Sequence, residues 1–140
     1  MTTIIEKLNE LQKEILGNLS DNWNAENSKI IFREYIRKQY GFEKEFGWNI
    51  ILNAYYIIDD TELAKLSFYE FGLQGPSRHD DVGEKYLRLY GILNSVYQQK
   101  LAIENLMEVH KIRQSREYSK YLTENELIVL RNKIAAHSKL

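Results

Sequence analysis

Three residues near the C-terminal end, Arg131, Asn132 and His137, carry side chains suited to acid–base work on a phosphate. A His titrates near neutral pH and so gives or takes a proton, and an Arg guanidinium holds the negative charge that builds on a phosphate in its transition state. Those two tools are enough to drive a ribose 2′-hydroxyl onto its neighbouring phosphate without a metal. Asn132 would orient the His or the phosphate. The plainer reading is a helix-end His⁺ set against the helix dipole, with Arg131 in a surface ion pair. Lys133 beside them, and Lys111, Arg113, Arg116 and Lys120 in the preceding segment, offer positive charge to a phosphate backbone; a flexible basic connector is the ordinary alternative.

These residues need a helix to hold them, and the stretch from Thr123 to Leu140 predicts one. Thr123 followed by Glu126 reads as a capping box at its start. At 100° per residue Leu127, Leu130 and Ile134 fall on one stripe, with Arg131 and His137 on its flanks about 120° apart. Ile128, Val129, Ala135 and Ala136 spread apolar surface around the remaining circumference, so the helix is expected to be covered on more than one side.

The run Arg131-Asn132-Lys133-Ile134-Ala135-Ala136-His137 resembles the Arg, polar residue, spacer, His motif of the HEPN superfamily. The resemblance covers seven residues and implies an all-α, HEPN-like, up-down bundle of five or six helices that pairs into a symmetric dimer, with the motif helices near the two-fold axis. It also implies a metal-independent endoribonuclease of toxin or phage-defence type. His137 would then be the general acid or base, Arg131 the phosphate holder, and Lys133, Lys111, Arg113 and Arg116 would contact RNA. A second implication is a non-catalytic HEPN module that binds a protein partner or a nucleotide. Expected partners are a second copy, RNA, and an antitoxin or other protein; neither a metal nor another cofactor is expected.

Composition bounds the rest. A chain of 140 residues makes one domain, residues 1–140, and 44% hydrophobic residues with one Pro favour a helical globule. With no Cys there is no disulfide scaffold, thiolate metal site or cysteine nucleophile. No segment reads as a signal peptide or membrane span, so a soluble cytoplasmic protein is expected. The net charge of −1 argues against a generic nucleic-acid binder. Its distribution is uneven: residues 1–108 carry 12 Lys and Arg against 17 Asp and Glu, residues 109–140 carry 7 against 3. The chain stops three residues after His137, so it reads either as a whole domain or as an excerpt of a longer protein whose C-terminal portion completes the site.

Ahead of the motif, periodicity predicts a helix over about 3–17 ended by Gly17 or Asn18, a linker from Ser20 to Asn27 in which Trp23 plugs the bundle, and a helix over 28–40 ended by Gly41. A central helix runs from Glu43 to about Ile58, and Asp59 with Glu62 starts a short helix ending at Gly72; one bent helix over 43–71 is the alternative. After a Gly- and Pro-containing loop, Asp81 with Glu84 caps the longest helix, Val82 to Ile112, and Arg113 to Leu122 forms a polar connector. In the loop, Arg78-His79-Asp80-Asp81 has metal-ligand residue types but no supporting spacing, and the two Asp read as helix caps. Tyr86, Tyr90 and Tyr97 share a flank of the long helix, where aromatic rings serve a core or interface more often than they stack bases.

Overall fold

The computed structural model describes residues 4–25, 31–42, 46–77 and 80–136, and among them finds helices and no strands. Six α-helices follow one another: α1 (Ile4–Ala25), α2 (Phe32–Tyr40), α3 (Gly47–Phe71), α4 (Val82–Val109), α5 (Ser115–Glu124) and α6 (Glu126–Ala136), with a 3₁₀ turn at Gly72–Gln74. None of the described helices is long and apolar enough to cross a membrane.

The centre is an antiparallel pair. Lys65 on α3 reaches Gln99 on α4, and Ala54 and Ile58 pack on Ala102, so α4 retraces α3. At the turn, Arg88 donates from Nε to the Gly72 carbonyl at 2.8 Å and from Nη2 to the Ser67 carbonyl at 3.4 Å, satisfying acceptors left over at the end of α3. On the outer side of α3 lies α1, also antiparallel, its Asn9 donating to Asp59 at 2.5 Å. Trp23, Phe32 and Trp48 form an edge-to-face train with centroids 5.5 and 6.0 Å apart that binds α1, α2 and α3. Behind it sits a core of Tyr35, Ile36, Phe42 and Ile51. Two glycines are needed here: Gly41 takes the left-handed conformation that ends α2 (φ 61°), and a Cβ on Gly47 would come within 2.9 Å of the Phe42 ring.

Several predicted boundaries move, each for a local reason. Gly17 does not end α1, because Leu19 and Trp23 beyond it pack on the core and outweigh the roughly 1 kcal/mol cost of a helical Gly. Asp59 does not start a new helix either: its carboxylate is engaged by Asn9, Glu62 pairs with Lys65, and the Thr61 hydroxyl donates back to Ile57 and Ile58, so α3 runs as one helix, the alternative that the sequence also offers. Asp81 caps α4 as expected, accepting from the Glu84 N–H at 2.9 Å, and α4 ends at Val109 rather than Ile112. The connector after it is a helix, α5, whose half-buried row is Ser115, Ser119 and Leu122.

The motif helix starts two residues later than the sequence predicts, and its buried face is different. Thr123 belongs to α5, where its hydroxyl donates to the Ser119 carbonyl; Asn125 caps α6 instead, accepting from the Leu127 N–H at 3.0 Å. The residue sealed against α4 is Ile128, 2% exposed, whereas Leu127 and Leu130 are 44% and 42% exposed. Leu130 lies about 160° round the helix from Ile128 and so faces away from α4. Ile128→Ala should therefore cost about 2–5 kcal/mol in chemical denaturation, and Leu130→Ala less than about 1 kcal/mol. Equal losses would mean that Leu130 is covered in solution.

Candidate functional site

Two short helices, α5 and then α6, run back along α4 on the side away from α3. Ser119 meets Glu104, Arg131 meets Tyr97, and Ile134 and Ala135 line one cleft with Leu93 and Tyr90. Arg131 is about 60° from Ile128 on α6, close enough to the sealed face for its stem to be covered and far enough for its guanidinium to reach the rim.

The guanidinium carbon stands 4.0 Å from the centroid of the Tyr97 ring, a close cation–π contact. Arg131 also donates from Nη1 to the Asn132 side-chain carbonyl at 3.2 Å. Among the described residues no carboxylate pairs with it. It borders a cleft of about 450 Å³ lined by Tyr90, Leu93, Asn94, Ile134 and Ala135, and Tyr86 stacks on Tyr90 at 6.3 Å. The cleft thus presents an uncompensated cation, an amide and an exposed aromatic face, a set suited to an anion attached to a flat ring.

Asn132 accepts a hydrogen bond from its chain neighbour Arg131, and Lys133 is exposed one residue further on. His137 lies outside the described residues, as do Arg78 and His79 of the metal-like run; of that run, Asp80 pairs with Lys85 and Asp81 caps α4. The other basic residues are not beside the cleft. Lys111 and Arg113 follow the far end of α4, and Tyr97 to Val109 alone is twelve residues, about 18 Å along the axis. Lys111 there adopts φ 53°, in the left-handed region, as the chain turns toward α5. Arg116 lines a different cleft of about 370 Å³, shared with Glu104 and Glu108, where the carboxylates oppose a phosphate. Tyr97 was noted in the sequence as one of an aromatic row, but Asn94 was missed; an exposed Asn inside a long helix has no distinguishing spacing. No group of three His, Cys, Asp or Glu among the described residues is placed to hold a metal ion.

That second cleft contains the link between α4 and α5. Glu104 accepts from Lys100 at 2.8 Å and from the Ser119 hydroxyl. Partial burial pushes the Glu104 carboxyl up, but hydrogen bonds from Lys100 and Ser119 and the Lys100 charge outweigh it, and its pKa is held below the usual glutamate value. A lowered folded-state pKa adds stability above the unfolded value, about 4.3, that is lost as pH falls through the folded pKa. Glu104→Gln should thus cost about 1 kcal/mol at pH 7, and the gap between variant and wild-type melting temperatures should narrow as the pH falls below the ordinary glutamate range. A gap independent of pH would show that shape, not charge, makes the contact.

Set beside known proteins, the chain matches no family model, no curated protein and no solved structure.

Proposed function

We propose that the protein is a metal-independent endoribonuclease of HEPN type, working as a symmetric dimer in a toxin or defence role. The observation that carries this reading is Arg131: a guanidinium held over the Tyr97 ring, unpaired with any carboxylate among the described residues, at the wall of a cleft of about 450 Å³. A guanidinium in that state keeps its fork of N–H donors for a phosphate. The exposed Tyr90 ring offers a face to an unstacked base, the usual mode of contact with single-stranded RNA. His137, six residues after Arg131, is the acid or base in this proposal, by the motif resemblance. A second copy bringing its own Arg131 and His137 into the same cleft is the arrangement this reading favours. Lys111, Arg113 and Arg116 lie too far along α4 to hold the scissile phosphate and would contact RNA, if at all, some nucleotides away.

A second reading has its own support. Leu127, Val129 and Leu130 are exposed on α6 while most of the basic residues are remote from the cleft, which suits a non-catalytic module that docks a protein partner, an antitoxin included, through α6.

Incubation with single-stranded RNA in EDTA separates the two. The first reading expects cleavage to a 2′,3′-cyclic phosphate and a 5′-hydroxyl, no cut at a 2′-deoxy position, and a pH optimum rather than a monotonic rise. His137→Ala and Arg131→Ala should each lower the rate by at least about 100-fold, and Arg131→Lys should restore little of it. Dependence on Mg²⁺, cleavage of DNA, or full activity in both alanine variants would leave the docking-module reading.

A further inference from the structure

Beneath α1, on the opposite side of α4 from Arg131, the packing leaves two abutting cavities. One, of about 80 Å³, is walled by Tyr40, Trp48, Tyr55 and His110 with Gln12 at its edge. The other, of about 200 Å³, shares Gln12, Leu16 and Tyr55 with it and carries Asn9, Lys13 and Asp59. The box walls come from four elements: α1, the last residue of α2, the first half of α3, and the residue that closes α4. Tyr40 stands edge-on to His110 at 6.3 Å and stacks on Phe42 at 5.2 Å, so its ring is fixed from two sides.

We propose that this aromatic box binds a quaternary ammonium group, the head of a small compound whose short polar tail lies in the adjoining cavity. Four π-systems line one small space together with the aliphatic Ile15, Leu16 and Ile51; a weakly hydrated cation that cannot hydrogen-bond is attracted by ring faces, which carry the negative part of the aromatic quadrupole. At about 10–15 Å³ of such space per water, the box holds about six heavy atoms, enough for the nitrogen and methyl carbons of a trimethylammonium head. Burial pushes the Tyr40 and Tyr55 phenols up, with the neighbouring Tyr55 adding to the effect at Tyr40, so both stay un-ionised at neutral pH and attraction comes from the rings. The surrounding charge has the matching sign: α1, α2 and α3 together carry nine carboxylates against six lysines and arginines, although α2 by itself is basic. A phosphate-bearing ligand would meet that field with the wrong charge. The site shares no residue with the Arg131 cleft, and the inference stands or falls apart from the ribonuclease reading.

The experiment titrates the protein with choline and with 3,3-dimethyl-1-butanol, its neutral isostere, following Trp48 fluorescence and isothermal calorimetry. Choline should bind saturably, and the isostere about 2- to 30-fold more weakly, the span expected when the charge is removed from a cation–π contact. Tyr55→Leu should weaken choline by a similar factor while Tyr55→Phe, which keeps the ring, binds as wild type; Tyr40→Leu, at a more exposed wall, gives the same readout should Tyr55→Leu fail to fold. Co-sedimentation with phosphatidylcholine but not phosphatidylglycerol vesicles would place the ammonium on a lipid and support the same chemistry. Equal binding of choline and isostere, no saturable response to choline, or preference for a nucleoside such as cytidine would overturn it.

Discussion

Everything in this fold follows from α4 being covered on two opposite sides. Leu93 and Ala102 are nine residues apart, half a turn out of phase, and both are buried: Leu93 lines the α6 side and Ala102 packs on α3. A helix buried on both faces cannot be amphipathic in the usual sense, and it needs two separate coats. The α3 coat is long and continuous. The other is made of two short helices laid end to end, and the break between them at Asn125 sets the rotation of α6 and thereby brings Arg131 over Tyr97.

Features written in local chemistry were legible in the sequence. Asp81 and Glu84 as a cap, Gly41 as a stop, Trp23 as a plug and the all-helical class follow from short-range rules that tertiary packing here reinforces. Features decided by competition between partners were not. Thr123 and Asp59 each head a sequence that satisfies the capping-box pattern, yet each side chain has a better partner, the Ser119 carbonyl and Asn9. α5 escaped notice because two of its three half-buried positions are Ser, and serines packed under a hydrogen bond to Glu104 leave no apolar stripe to read. Arg131 and Asn132 stand out in the sequence as residue types. The Tyr97 platform beneath Arg131 needed the register between two helices, which no local pattern supplies.

The state of Arg131 is unusual enough to constrain function. A half-buried cation is ordinarily held by a carboxylate, and desolvation makes one without a partner costly. Here a ring face and an amide carbonyl take that place. The ring contact is worth about 0.5–2 kcal/mol and leaves the charge in place, so the guanidinium is fixed in orientation without being neutralised. Such an arrangement suits a group kept for an external anion. It also separates Arg from Lys at this position, since a flat guanidinium covers a Tyr ring in a way that a tetrahedral ammonium does not.

Net charge misleads for the same geometric reason. The overall value of −1 sums two unlike halves: the α1 and α3 side is rich in carboxylates, and α6 sets Arg131 and Lys133 against Glu126 alone. With α4 about 10 Å thick between them and a Debye length near 8 Å at physiological salt, each half acts on solvent largely by itself. Positive charge at the cleft is therefore local, resting on one or two cations rather than on a broad basic surface, and the aromatic box lies in the field of the acidic half. A phosphate contact made this way gains little from long-range steering and correspondingly little sensitivity to salt. Under the proposed ribonuclease reading, recognition at the cleft would come mainly from short-range fit, the N–H donors of the guanidinium and the face of Tyr90, the regime in which an RNA segment is selected by its shape and its unstacked bases rather than by its charge.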